Sequence, residues 1–173
     1  MKTLSVSILL LLVLSALIGL IPFVRSVQAL GVPELVVTSV YWGTNPMAPL
    51  TVQPGDESVT LSIVITNTGD DFARSVRGRL ELKPPFTYEY SSERGGKQSL
   101  SSIVSDAGDI ASGRSFTFQF ILSIDSDAEE GLYQLPLELT YRSARELQET
   151  SETAYIDIPI WRGELHIQTV ATT

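Results

Sequence analysis

Apolar and polar positions alternate with a period of two along most of the chain after residue 30. Leu61, Ile63 and Ile65 oppose Thr60, Ser62 and Thr66, and Val76, Leu80 and Leu82 oppose Arg77, Arg79 and Glu81. Phe116, Phe118, Phe120, Leu122 and Ile124 form a longer row of the same kind. So do Tyr133, Leu135, Leu137, Leu139 and Tyr141, and then Ile156, Ile158 and Ile160. Successive strand side chains point to opposite faces, so these patterns predict strands with one face buried and one wet, as in antiparallel sheets. Turn residues separate the runs: Pro54-Gly55-Asp56, Asn67-Thr68-Gly69-Asp70, Lys83-Pro84-Pro85, Gly95-Gly96, Ser112-Gly113 and Glu129-Glu130-Gly131. Arg142 to Glu149 has helix-forming residues but lies between two strands, and reads as a hairpin loop. With a strand opening at Pro33 and a short one around Phe86 to Tyr90, the count is about seven, which predicts an immunoglobulin-like β-sandwich over residues 30–162. Pro136 and Pro159 fall inside strand patterns; each lacks a ladder donor, which predicts an edge or a bulge.

The first 29 residues depart from this pattern. Lys2 precedes Leu4 to Leu20, a stretch without charge, then Pro22 and the compact Val27-Gln28-Ala29. Charge, apolar run and small-residue site are the order of a secretory signal peptide. The run is also near the length of a short membrane span, so an uncleaved N-terminal anchor is the rival reading. Either places the remainder outside the cytoplasm, in the envelope or at the cell surface, with membrane contact only through this segment if it is kept.

Charge and composition narrow the function. The net charge is −8, and removing residues 1–29 takes away Lys2 and Arg25 and no acid. Such a surface does not suit a phosphate backbone, so no nucleic-acid partner is expected. Without Cys there are no disulfides, thiolate metal sites or cysteine nucleophiles. His166 is the only His and lies in a strand-like tail, away from any Gly-x-Ser-x-Gly elbow. No enzymatic activity and no obligatory cofactor are expected.

The order of turn motifs resembles that of archaeal S-layer-like extracellular domains and the related bacterial CARDB-type adhesion domains. The residues that carry it are Val52-Gln53-Pro54-Gly55-Asp56 before one strand and Asn67-Thr68-Gly69 after it. Asp109-Ile110-Ala111-Ser112-Gly113 follows, then the connection from Asp125 to Gly131-Leu132-Tyr133. The family pattern has Leu where this chain has Ile110. The resemblance spans about residues 34–161 and implies a non-catalytic surface module that works as a spacer, lattice part or adhesion unit. Its partners would be envelope proteins or copies of itself. Neither Asn45 nor Asn67 stands in an Asn-x-Ser/Thr sequence, so N-glycosylation is not expected.

Gly163 to Val170 repeats features of Pro33 to Val40, with Glu164, Leu165 and Thr169 answering Glu34, Leu35 and Ser39. Three readings stand: an accidental likeness, the start of a tandem copy, or an assembly strand carrying Glu164, Leu165, Ile167 and Thr169 that adds to a neighbouring sheet. Asp125, Asp127, Glu129 and Glu130 could offer oxygen ligands to a weakly held Ca²⁺, against the plainer reading of a solvated turn. Phe86, Tyr88 and Tyr90 on one strand face, with Trp161, could stack on sugars or touch a partner, against the plainer reading of core and capping residues. A carbohydrate-binding accessory module is therefore the alternative function.

Overall fold

A computed structural model of the chain describes residues 31–91, 97–145 and 148–161. Among the described residues all regular elements are strands. They run β1 (Leu35–Trp42), β2 (Val59–Asn67), β3 (Ala73–Glu81), β4 (Phe86–Thr87), β5 (Glu89–Ser91), β6 (Lys97–Ser99), β7 (Ser102–Ile110), β8 (Ser115–Ile124), β9 (Gly131–Ser143) and β10 (Glu149–Ile160). Two four-stranded antiparallel sheets result, ordered β1-β2-β8-β4 and β10-β9-β3-β7, with β5 and β6 forming a two-stranded ribbon. Residues Gly31–Thr173 group as one compact unit. Among the described residues no helix is long and apolar enough to cross a membrane.

The period-2 rows become the facing surfaces of the two sheets. From the first come Leu61, Ile63, Ile65, Phe118, Phe120 and Leu122, and from the second Leu80, Leu135, Leu137, Leu139, Ile156 and Ile158, all essentially without exposed surface. Burying a side chain of this size stabilises by about 1.5–3 kcal/mol relative to leaving it in water. The sheets approach closely where β3 meets β8: a Cβ on Gly78 would stand 3.1 Å from the Phe118 ring. Trp42 ties β1 to β10 by donating its indole N–H to the Pro159 carbonyl (2.8 Å). Trp42, Phe86 and Tyr133 then close one end of the core, with centroids 6.3 Å and 5.6 Å apart and the second pair edge-to-face.

The prolines sit where the ladder permits them. β10 is an edge strand, so Pro159 has a ladder partner, Leu132, on one side only. The β3–β9 pairing ends at Leu80↔Leu137, and Pro136 is therefore paired on one side only, with Tyr155 of β10. Residues between Ser143 and Glu149 connect β9 to β10 as the expected hairpin.

Candidate functional site

Strand directions divide the molecule into two ends. The chain enters where β1 starts, beside Asn67, the register partner of Leu35. It leaves where β10 finishes, with Ile160 opposite Gly131. The near end thus carries the connections β2–β3, β7–β8 and β9–β10, and the far end carries β1–β2 and β8–β9.

Asn67 organises the near end. Its side-chain oxygen accepts the N–H groups of Glu34 (3.2 Å) and Gly69 (3.1 Å), and its amide donates to the carbonyls of Asp71 (2.7 Å) and Ile110 (3.0 Å). All four opportunities of a buried amide are used. Gly69 is required beside it, because a Cβ there would meet the Val32 carbonyl oxygen and stand 2.5 Å from the Glu34 nitrogen. Asp71 accepts the Phe72 N–H (2.9 Å) and the Ser143 hydroxyl (3.0 Å), and the Phe72 bond foremost holds its carboxyl below the ordinary value of 3.8.

At the far end, Pro54-Gly55-Asp56 is a turn closed by the Asp56 carboxylate, which accepts the Gln53 N–H (2.8 Å), with Gly55 at a φ of 88°. The β8–β9 connection is fixed by Tyr133, whose hydroxyl donates to the Glu129 carbonyl (2.7 Å) four residues upstream. The motifs that carried the family resemblance are thus turn and corner devices of the framework.

The outer face of β10-β9-β3-β7 holds a shallow groove of about 470 Å³ lined by Arg77, Arg79, Ser102, Glu138, Thr140 and Glu149, with Val104. Its charges are laddered: Arg77 to Asp106 (2.8 Å), Arg79 to Glu138 (3.8 Å) and Arg142 to Glu149 (3.6 Å). The hydrogen bond to Asp106 foremost holds the Arg77 guanidinium more firmly protonated than usual. Toward the near end, Arg74 of β3 lies directly opposite Arg142 of β9. Toward the far end, the face becomes apolar: Leu132, Tyr155 and Trp161 are exposed, and Gln134 donates to Asp157 (3.0 Å) between them.

The residues singled out from sequence are dispersed by this arrangement. Asp125, Asp127, Glu129 and Glu130 lie on the β8–β9 connection, but among the described residues no three acids come together as a metal-binding group. Phe86, Tyr88 and Tyr90 do not share a strand: β4 ends at Thr87 and pairs with β8, whereas Tyr90 belongs to β5 and pairs with Gln98 of β6. Phe86 is 2% exposed and packed between Trp42 and Tyr133, so it cannot offer its face to a ligand. Tyr88 is half-buried. Trp161 is 56% exposed, as a contact residue would be, and its backbone N–H donates to the Val52 carbonyl (3.1 Å). Glu164, Leu165, Ile167 and Thr169 lie outside the described residues, as do His166 and the N-terminal segment. The Arg74–Arg142 pair and the apolar Leu132–Tyr155 surface were not picked out from sequence. Their signal is the outward register of β9 and β10, which period alone does not supply.

No protein-family model matches the chain. An uncharacterized protein of Methanocaldococcus jannaschii is 29% identical over 93 residues, covering 54% of this chain. The match spans 15% of that relative's length. Among solved structures, Spo0M, a sporulation control protein from Bacillus subtilis, aligns over 78% of this chain and 51% of its own at a TM-score of 0.33 and 10% identity.

Proposed function

We propose that this chain is an exported, non-catalytic, immunoglobulin-like module of the S-layer-like or adhesive type, working by contact between β-sandwiches in the cell envelope. One observation carries the reading: the chain enters at one end of the sandwich and leaves at the other, and both ends expose large apolar side chains. Val32 (62% exposed) and Phe72 (48%) stand at the near end, and Met47 (92%), Leu132 (68%) and Trp161 (56%) at the far end. Exposed apolar side chains at both ends suit a module that meets a neighbour at each end. The Tyr133–Glu129 bond supports the immunoglobulin-like assignment, because it has the placement of the tyrosine corner at the start of that fold's sixth strand. With β4 to β6 set aside as short additions, β1-β2-β8 and β10-β9-β3 correspond to the A-B-E and G-F-C strands of that fold, and the fourth strand, β7, joins the G-F-C side. The N-terminal charge, apolar run and Ala29 support export.

The test is protease treatment of intact cells that express the full chain. Digestion without lysis is the expected result; a chain protected until lysis would overturn the envelope assignment.

The alternative, a carbohydrate-binding accessory module, is favoured by a different observation. Tyr155 is exposed on the outer face of β10 and Trp161 is exposed just past its end, with Asp157, paired to Gln134, between them along the chain. Aromatic rings stack on sugar faces while polar pairs take hydroxyls. On this reading a β-linked oligosaccharide raises the melting temperature, and Tyr155→Ala removes the rise.

A further inference from the structure

We propose that two copies of this chain pair along their β8 strands, antiparallel about a two-fold axis, and so join their first sheets into one. The inference rests on the contact-module reading; it names the partner as a second copy and the edge by which that copy is held.

The β8 edge is open. β8 keeps an unbroken register with β2 from Ser115 to Leu122. On its other side β4 reaches only Ser123 and Ile124. Backbone groups alternate in direction along an antiparallel strand. The Arg114 carbonyl accepts the Asn67 N–H (2.9 Å), and the Ile124 N–H donates to the Asp56 carbonyl (2.8 Å), so the even-numbered residues turn toward β2. The odd-numbered ones turn the other way, as Asp125 does in donating its N–H to the Pro85 carbonyl (2.9 Å). Thr117, Gln119 and Ile121 therefore aim their N–H and C=O groups at the open edge, and among the described residues no backbone partner meets them there.

Natural sheets block such edges with charge, proline or a bulge. The other edges here are blocked. β1 pairs with a register break between Val37 and Ser39. The β3–β7 pairing is broken around Val76, and β7 carries Asp106 and Asp109. β10 carries Pro159 with Glu149, Glu152 and Asp157. β8 has no charge, proline, glycine or register break. An edge in that state is a template for another strand.

The strand that fits is β8 itself. Its side chains read alike in both directions from Gln119: Phe118 and Phe120, Thr117 and Ile121, Phe116 and Leu122, Ser115 and Ser123. With Gln119 opposite Gln119, Thr117 of each copy stands opposite Ile121 of the other, and each such pair exchanges two backbone hydrogen bonds. On the core side, Phe118 is set beside Phe120 and the half-buried Phe116 beside Leu122. On the outer side, Ile121, 49% exposed, covers the Thr117 methyl of the second copy. β4 ends the ladder at Ser123 in both copies, which leaves Phe116 to Leu122 as the paired segment. No like charges meet within it. The contact is isologous and closes on itself, giving a dimer with the continuous sheet β1-β2-β8-β8-β2-β1.

The experiment is light scattering and amide hydrogen exchange on Gly31–Thr173, the compact unit, from low to high concentration. The mass should rise from that of one chain to that of two. The amides of Thr117, Gln119 and Ile121 should exchange quickly in the dilute chain and at least about tenfold more slowly in the concentrated one. Those of Phe118 and Phe120, directed to β2, should be slow in both. Raising neutral salt from about 0.1 to about 1 M should change the association by less than roughly twofold, because the ladder holds no ion pair. Two variants then test the register. One carries Thr117→Lys with Ile121→Lys, the other Thr117→Glu with Ile121→Glu. Each alone sets like charges opposite one another and should stay monomeric, and an equal mixture should dimerise, which also shows both to be folded. A wild-type chain that stays monomeric at every concentration would overturn the proposal and leave the edge to a strand from another protein. Association that leaves the three outward amides unprotected would overturn it as well, and that measurement needs no variant. None of these results moves the protease test on cells, so the contact-module reading can fail or stand independently.

Discussion

Asn67 and Gly69 act as one device at the near end. Replacing Asn67 by Ala removes four hydrogen bonds at once and strands the Glu34 and Gly69 donors and the Asp71 and Ile110 acceptors. Each polar group left buried without a partner costs about 1–3 kcal/mol, and some will reach water, so a total near ~3 kcal/mol is expected. In a domain of this size that lowers the melting temperature by roughly 10 °C, read by differential scanning calorimetry. Gly69→Ala should be at least as harmful, because the atoms it meets are backbone and cannot rotate away. Asp71 next door sets a pH dependence. Its carboxyl is depressed in the folded chain, so the stability it contributes is present above 3.8 and is lost as pH falls through the folded value. Asp71→Asn should flatten the acid limb of a stability-against-pH curve below about pH 4, and an unchanged slope would remove Asp71 from the account.

At the scale of elements, the two sheets depend on a glycine where a strand would ordinarily carry a branched side chain. Gly78 points into the core against Phe118, and a Cβ would press the ring at 3.1 Å. Gly78→Ala should therefore destabilise by about 1 kcal/mol, as overpacked cores do, and Phe118→Leu in the same chain should recover part of that loss despite removing a large side chain. If the double variant is simply the sum of the two singles, the close approach is not what constrains position 78. This contact also marks how far the pattern of the chain could be read in advance. β2, β3, β8, β9 and β10 were legible because each buries one face, and Leu61 to Ile65 or Phe116 to Ile124 alternate without interruption. β7 was not, because it is an edge strand: of Ser102–Ile110 only Ile110 is buried, and the polar Ser105, Asp106 and Gly108 hide the period. The aromatic row Phe86, Tyr88 and Tyr90 misled for the opposite reason. Its alternation is regular, yet the backbone leaves one sheet after Thr87 and joins the β5–β6 ribbon, so a shared face never forms. The charged groove was invisible because it depends on which residues of β3, β7 and β9 become neighbours.

At the scale of the whole molecule, the end of the sandwich where β10 finishes carries Asp56, Glu57, Asp125, Asp127, Glu129 and Glu130 on its turns, and the two tryptophans report on it. Trp42 is 3% exposed, with its indole N–H on the Pro159 carbonyl. Trp161 is 56% exposed at the acidic end, directly after Ile160, whose cross-strand partner Gly131 follows Glu129 and Glu130. The folded chain should therefore emit as a blue, protected component and a red, accessible one. Trp161→Phe removes the second and leaves the first until the sandwich unfolds. The sign of the local field follows from the choice of quencher. An acidic surface raises the local concentration of cations and lowers that of anions, so at low ionic strength caesium should quench the Trp161 component more strongly than iodide. The difference should shrink as neutral salt shortens the screening length to ~3 Å at about 1 M. Charge reversal at Asp127 and Glu130 should narrow the difference between the two quenchers. Equal quenching by both ions at low salt would mean that the acids around Trp161 are neutralised by groups of the chain itself.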